Sequence, residues 1–361
     1  MPRAAACVPR IVAGYRLFSG AFTAGGALFG ALEAGGRPQD ARLTGEALSR
    51  VLLAPVLGVL PAGTRRLLIG ATGELADLPF AALPHPTKGD LLLHHFEVTY
   101  VPSLQLLAAL RTSPKPTAEN ALVFADPVAS GRVPSARRGI DLGPLPHALR
   151  EGKEVAAYFR EARLLEGRGA TPRAVIAEAG RFGVLHFATH AVTDRQAPMN
   201  LALVLSPEDS SRSGWITARE ISSLSLDTAL VTLSACQSSA GPRTKASSAP
   251  SLAKAFLQAG SRSVVAGLWD ADDAATRDLM NLFYEELSRG ETVGGALRLA
   301  QQTLARTRDV SQWAGFVVVG DPDSRPLGIR QPRALSATSP MGGFALLVCA
   351  VGGLVFYARR S

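Results

Sequence analysis

Two side chains that could act as a nucleophile and its base follow apolar runs in the second half of the sequence. His190 ends the run VLHFATH, and Cys236 ends the run LVTLSAC. A thiol attacks carbonyl carbon as the thiolate, and a histidine within hydrogen-bond reach supplies the base that forms it. This pair of residue types therefore suits a cysteine nucleophile in acyl transfer.

Spacing alone leaves a structural interpretation of both residues open. Cysteine is among the most buried residue types, and a cysteine after an apolar run usually belongs to the core. A histidine that ends a strand is often structural as well. His186, four residues before His190 in the same run, is interpreted as structural, with a catalytic role as the alternative.

The elements that must position these residues alternate between helical patterns and short apolar runs. This alternation predicts an α/β fold with a mostly parallel sheet flanked by helices. Sites in such sheets form beyond the carboxyl ends of the strands, so neighbouring strands would bring His190 and Cys236 to one edge. Helices are predicted at 41–60, 104–110, 151–162, 172–180, 217–224, 251–259, 272–289 and 292–306, and strands at 66–71, 95–102, 121–125, 183–188, 201–205, 229–233, 264–268 and 316–319.

Three local signals fix element boundaries. Thr217 followed by Glu220 matches a capping box, which predicts a helix start. Gly260 stands where a helix would end in a left-handed residue. Pro55 is expected to end the first helix.

The composition restricts the partners and cofactors. Apolar residues make up 47% and charged residues 19%, as in a globular domain. The net charge is +8, but no basic run alternates with aromatic residues, which argues against a nucleic-acid partner. The three cysteines lie far apart and the six histidines do not pair with them at metal-ligand spacing. We expect no disulfide framework, metal or cofactor, and nothing in the sequence sets an oligomeric state.

The C-terminal segment predicts a membrane anchor. Residues 341–358 are uncharged and are followed by Arg359 and Arg360. As a helix they would span about 27 Å, close to the thickness of a hydrocarbon core. We therefore expect a linker at 326–340, a single transmembrane helix at 341–358, a basic tail at 359–361, and a membrane-anchored protein whose catalytic domain is cytoplasmic. The alternative is a buried C-terminal helix.

The N-terminal segment is less informative. Residues 1–40 contain an uncharged stretch from Leu17 to Leu32 that glycines dilute, after Arg10 and Arg16. They are interpreted as a leader or a helix packed on the domain, with a secretory signal as the alternative.

Several ordered motifs resemble the CHAT family of caspase-like domains. They comprise LHFATH at 185–190, LVTLSAC at 230–236, KAFLQAGSRSVVAGLW at 254–269 and WAGFVVVGDP at 313–322, with GEL at 73–75, LPFAAL at 78–83 and YVPSL at 100–104 upstream. The resemblance implies a caspase-hemoglobinase fold over residues 41–325 and a catalytic dyad of His190 and Cys236. It also implies hydrolysis of peptide bonds in a protein or peptide substrate.

The resemblance assigns further site residues. The backbone N–H groups of Cys236 and Ala191 would hold the oxyanion, and Ser234 and Asp273 would contact substrate. Ser234 occupies the position where caspases have Gln and metacaspases Asp, and it brings no charge. Asp273 could instead cap a helix. Ala191 replaces the family's usual Gly, and Gln237 replaces its acidic residue after the cysteine.

Three functions follow from these observations. The first is a membrane-anchored caspase-like cysteine endopeptidase. The second is a catalytically inactive caspase-like scaffold that binds a protein partner at the membrane, which Ala191 favours. The third, a cysteine acyltransferase, lacks any acyl-carrier or coenzyme motif.

Overall fold

The computed structural model describes residues 38–71, 73–128, 142, 145–192, 201–208, 214–237, 249–269, 271–331, 346–351 and 354–360. Its helices are α1 (Pro38–Leu52), α2 (Ala54–Leu57), α3 (Leu92–His95), α4 (Leu104–Thr112), α5 (Ala148–Ala157), α6 (Pro172–Glu178), α7 (Ala218–Ser222), α8 (Ala249–Ala259), α9 (Asp273–Ser288) and α10 (Val293–Leu304). Its strands are β1 (Thr64–Ala71), β2 (Glu97–Tyr100), β3 (Asn120–Ala125), β4 (Glu161–Glu166), β5 (Val184–Val192), β6 (Ala202–Val204), β7 (Trp215–Thr217), β8 (Leu230–Gln237), β9 (Ser263–Gly267), β10 (Phe316–Gly320), β11 (Leu346–Val351) and β12 (Leu354–Arg360).

The strands form one mixed sheet in the order β11-β12-β1-β2-β10-β9-β8-β5-β3-β4, and β6 pairs with the end of β5 and with β7. Strands β9, β8, β5, β3 and β4 are parallel to one another, whereas β10 is antiparallel to β9. Strands β3, β5, β8 and β9 therefore end at the same side of the sheet, which we call the carboxyl edge.

Helices cover both faces of the parallel block, which confirms the predicted α/β class. All nine residues of β5 are buried, as expected of a central strand covered on both sides. On one face His186 contacts Glu151 of α5 and Tyr284 of α9. On the other face the ring of Phe187 lies 5.6 Å from that of Phe256 in α8.

The predicted local signals act as expected around the parallel strands. Thr217 caps α7 by accepting from the Glu220 amide, and the Glu220 carboxylate accepts from the Thr217 amide. Gly260 follows α8 with φ +115°, and a Cβ there would lie 2.2 Å from the Leu226 carbonyl oxygen. Both the capping box and the terminal glycine are confirmed.

Other boundaries differ from the prediction. The helix predicted to reach residue 162 ends at Ala157, and Glu161–Glu166 forms the edge strand β4. The charged sequence EARLLE lacks the apolar/polar alternation that would predict a half-buried strand. Charged residues are common on edge strands, because they protect the sheet from further pairing. Pro55 does not end the first helical region but lies in the first turn of α2, where its missing N–H costs nothing.

The predicted transmembrane helix and single-pass membrane anchor are wrong. Within residues 341–358 the structure places strand β11 and most of β12, and β12 pairs antiparallel with β1. Among the described residues, no helix has the length and apolarity needed to cross a membrane. The missed signal is Gly352-Gly353, a two-residue glycine pair between two apolar runs that predicts a hairpin. An uninterrupted apolar stretch does not distinguish strands from a helix by periodicity.

The ends of the predicted domain can be followed in part. Residues 1–37 of the predicted leader lie outside the described residues, as do 332–340 of the predicted linker. Residues 326–331 of that linker pack on the domain: the Arg330 amide donates to the Tyr158 carbonyl oxygen at 2.7 Å, and the Arg160 amide donates to that of Gly328 at 3.0 Å.

Candidate active site

His190 and Cys236 occupy matching positions on adjacent parallel strands. The β5–β8 ladder pairs residues 184–191 with residues 230–237, which places His190 beside Cys236. Neighbouring strands lie about 4.8 Å apart, so the two backbones are as close as a sheet allows. His190 is 8% exposed and lies near the carboxyl edge. The structure thus brings together the two residues that spacing alone left unconnected.

The end of β5 is also held by β6, on the side away from β8. The Thr189 hydroxyl donates a hydrogen bond to the Val204 carbonyl oxygen of β6. Strand β6 also pairs antiparallel with β5 at Ala191 and Val192. Thr189 alternates with His190 along the strand and so faces the opposite side of the sheet. These contacts hold the backbone around His190 through neighbouring residues.

Ala191 lies inside the sheet. It pairs with Leu203 of β6 on one side and with Gln237 of β8 on the other. The amide of a strand residue points toward a neighbouring strand, so the oxyanion role predicted for the Ala191 N–H requires that amide to leave the ladder. Among the described residues the only non-glycine with positive φ is Asp126, so Ala191 does not use the conformations that the family's usual glycine would open. Its oxyanion role stays a prediction.

Ser234 lies two residues before Cys236 on β8 and is 6% exposed. Within the described part of the chain its Oγ is buried and has no hydrogen-bond partner. A buried hydroxyl without a partner costs free energy. A hydrogen bond to a polar group of a bound molecule would offset that cost. The substrate contact predicted for Ser234 stays a prediction.

Asp273 is the first residue of α9, just after the carboxyl end of β9. Its Oδ2 accepts a hydrogen bond from the His147 amide at 2.7 Å, next to the start of α5. The cap of α9 itself is Asp272, whose Oδ1 accepts from the Ala275 amide at 2.9 Å. Asp273 therefore links two helix starts at the carboxyl edge, and its contact with substrate stays a prediction.

The sequence did not predict the partners of His186. Its Nε2 lies 2.9 Å from Glu151 Oε1, and its Nδ1 lies 3.2 Å from the Tyr284 hydroxyl. That hydroxyl also lies 3.0 Å from Thr232 Oγ1. All four side chains are buried, and burial raises the pKa of Tyr284 above its usual value. A signal was present, because Glu151 falls on the apolar face of its amphipathic helix, where a charged residue needs a partner.

Asp126 is a second residue that the sequence did not single out. It follows β3 at the carboxyl edge, is exposed, and has φ +47°. Its amide donates to the Ala188 carbonyl oxygen of β5 at 3.2 Å. A non-glycine residue in the left-handed region is uncommon, and such residues cluster at functional sites.

The described residues hold no group of three or more His, Cys, Asp or Glu side chains that could bind a metal ion. The segments that follow β3, β5 and β8 in the chain, at 129–141, 193–200 and 238–248, lie outside the described residues.

A histidine and a cysteine in register near the carboxyl edge of a parallel block define a candidate active site on an α/β sheet. The sequence profile of the CHAT domain matches residues 42–321. The chain belongs to the CHAT domain family.

The relatives found by sequence are much longer proteins. Tetratricopeptide repeat protein 28 of Homo sapiens is 28% identical over 322 residues, and that of Mus musculus is 29% identical over 327 residues. Each match covers 76% of this chain and 13% of the relative. The chain thus corresponds to a small part of these proteins.

Several solved structures resemble the fold distantly, and two of them serve as examples. The separase-securin complex of Saccharomyces cerevisiae matches with a TM-score of 0.43 at 13% identity, over 68% of this chain and 15% of that chain. The Arg specific cysteine proteinase gingipain R matches with a TM-score of 0.47 at 12% identity, over 96% of this chain and 90% of that chain. Likenesses at this level carry no argument about the chemistry of this chain.

Proposed function

We propose that this chain is a cysteine endopeptidase that hydrolyses peptide bonds of protein substrates with Cys236 as nucleophile and His190 as base. The observation that carries the proposal is the β5–β8 register, which places the two residues side by side near the carboxyl edge. Membership in the CHAT family supports it.

The chemistry needs only these two side chains and backbone donors. His190 takes the proton of the Cys236 thiol, and the thiolate attacks the scissile carbonyl carbon. The resulting oxyanion is stabilised by N–H groups, proposed to be those of Cys236 and Ala191. His190 then gives its proton to the leaving amine as the C–N bond breaks, which leaves a thioester on Cys236. Water, deprotonated by His190, hydrolyses the thioester, releases the carboxylic acid and restores the thiol.

The surroundings suggest how substrate would be selected. Ser234 is proposed to offer its unpartnered hydroxyl to a substrate group, and it brings no charge that would select an acidic or basic side chain. Asp273, also proposed to contact substrate, already accepts from the His147 amide. A contact with substrate would therefore add to that helix link.

A second candidate is a non-catalytic scaffold that binds a protein partner. The pairing of Ala191 on both sides favours it, because an amide held in the ladder does not reach an oxyanion. The two candidates differ in whether the dyad turns over substrate.

A peptide-library cleavage assay with the full chain tests the proposal. We expect wild-type protein to cleave a subset of peptides and Cys236→Ala and His190→Ala to cleave none. His94→Ala serves as the matched control, because the His94 side chain is 43% exposed and lies outside the candidate site. Cleavage that survives Cys236→Ala, or no cleavage by the wild type, would contradict the proposal.

A further inference from the structure

Four buried side chains form a hydrogen-bonded group beneath the dyad. The group, which we call the buried network, consists of Glu151 on α5, His186 on β5, Thr232 on β8 and Tyr284 on α9. Each is at most 1% exposed. Buried polar groups cost free energy unless they are paired, so a group this size in the core calls for a role that apolar residues would not fill.

The buried network lies at a defined distance from the dyad on both strands. His186 pairs with Thr232 in the same ladder that pairs His190 with Cys236. His186 therefore precedes His190, and Thr232 precedes Cys236, by four positions, about 13 Å along the strand. Because strand side chains alternate, His186 and His190 lie on the same face of the sheet.

Tyr284 connects the two strands through a single oxygen atom. Its hydroxyl lies 3.2 Å from His186 Nδ1 on β5 and 3.0 Å from Thr232 Oγ1 on β8. The Tyr284 ring packs edge-on against the imidazole of His186, with centroids 5.6 Å apart. The hydroxyl thus bridges two residues that pair directly across the ladder.

One set of proton positions makes every contact in the buried network a hydrogen bond. The His186 Nε2–H donates to Glu151 Oε1, which leaves Nδ1 as an acceptor for the Tyr284 O–H. The Thr232 O–H then donates to the Tyr284 oxygen. In this arrangement His186 links the Glu151 side chain to the two hydroxyls.

Hydrophobic pattern does not specify the register of these two strands. Buried parallel strands are apolar on both faces, so a slip that keeps apolar residues inside costs little in burial. A slip would separate His190 from Cys236, however. A polar group in an otherwise apolar interface fixes register, because any other alignment leaves it unpaired.

We propose that the buried network positions the dyad, with Tyr284 as the residue that holds β5 and β8 in the register that places His190 beside Cys236. The inference rests on the proposed peptidase function. Tyr284, His186 and Thr232 are positioning residues in this account, since they act through the strands.

Tyr284→Phe tests the proposal in the full chain, with Tyr100→Phe as its matched control. Tyr100 is also buried, and its hydroxyl contacts the Leu78 carbonyl oxygen and the Phe80 amide away from the β5–β8 ladder. The readouts are kcat and KM on a cleaved peptide, the thermal midpoint, and the pH dependence of Cys236 alkylation by iodoacetamide. The titratable groups that contact His186 are Glu151 on α5 and Tyr284 on α9, and Arg277 on α9 interacts electrostatically with Glu151.

We expect both variants to lose similar thermal stability. Tyr284→Phe should also lower kcat about ten-fold, leave KM within about two-fold, and slow alkylation of Cys236 at neutral pH, since small misplacements of reacting groups cost large factors in rate. Tyr100→Phe should change neither rate. Thr232→Val keeps the side-chain shape and should give a smaller fall in kcat, which keeps the test informative if Tyr284→Phe fails to fold.

Two results would overturn the inference, and they differ from each other. If wild-type Cys236 alkylates with the pH dependence of an ordinary thiol, the dyad itself fails and the inference falls with it. If the wild-type thiol is activated but neither Tyr284→Phe nor Thr232→Val changes kcat or alkylation beyond Tyr100→Phe, the peptidase proposal stands and the positioning role is wrong.

Discussion

His190 and Cys236 pair in the parallel ladder between β5 and β8. The next two residues of β5, Ala191 and Val192, pair with β6. The histidine strand is therefore held from both sides close to its end. The backbone that carries the base is therefore fixed beside the neighbouring strand.

The contact between α5 and α9 depends on an ionised Glu154. Hydrogen bonds from Arg277, Asn281 and Arg150 lower the pKa of Glu154 from 4.5 to about 2. A lowered pKa stabilises the fold at pH above the unfolded value, and this contribution is lost as the pH falls through 4.5 toward 2. Glu154→Gln should therefore reduce the free energy of unfolding by about 1 kcal/mol at pH 7, a value kept small by partial solvent exposure.

Urea unfolding of wild type and Glu154→Gln across pH 2 to 7 measures this difference. Glu166→Gln is the control, because Glu166 Oε2 lies 3.6 Å from an exposed Lys153 and should change stability by less than about 0.5 kcal/mol. A deficit for Glu154→Gln that persists unchanged at pH 2 would show that the carboxylate charge is not responsible.

The turn after α8 requires glycine at position 260. Gly260→Ala places Cβ 2.2 Å from the Leu226 carbonyl oxygen at φ +115°, so we expect a loss of more than about 2 kcal/mol. Gly290→Ala is the matched substitution: φ is +92° there, with no atom within 4 Å of the added carbon, and the cost should be about 1 kcal/mol. Equal losses in thermal or urea unfolding would mean that the close approach to Leu226 is unimportant.

Asp273 should stabilise the start of α5. Since its Oδ2 accepts from the His147 amide, Asp273→Ala should lower the free energy of unfolding by about 1 kcal/mol. Asp309→Ala is the control, because the Asp309 side chain makes no capping hydrogen bond. KM for a cleaved peptide, measured on the same variants, reports on the proposed substrate contact: it should rise for Asp273→Ala alone. An unchanged KM would limit Asp273 to its structural role.

The sequence was sufficient where one local rule decides the outcome. The capping box at Thr217, the glycine at 260 and the apolar runs that became β5 and β8 each follow from the residues nearby. The sequence alone did not show that β5 and β8 would be neighbours, because pairing between strands over 40 residues apart depends on the whole sheet. The family resemblance supplied the dyad that spacing alone left open.

Errors arose where a local pattern fits two structures. Residues 341–358 are apolar enough for a helix, yet their strands pair with each other and with β1. Strand β4 has a charged sequence, because only one of its sides pairs within the sheet. The buried network was missed for a different reason: Glu151 and Tyr284 are 133 positions apart in sequence and meet His186 only after α5 and α9 pack on the same face.

The pH dependence of Cys236 alkylation tests the central claim most directly. The rate is measured in the full chain by mass spectrometry of the peptide that contains Cys236, which separates it from Cys7 and Cys349, for wild type, His190→Ala and the control His94→Ala. The account predicts that Cys236 in wild type and His94→Ala reacts as a thiolate well below pH 8.5, and that His190→Ala returns it to the behaviour of a free thiol. An identical profile for wild type and His190→Ala would contradict the dyad.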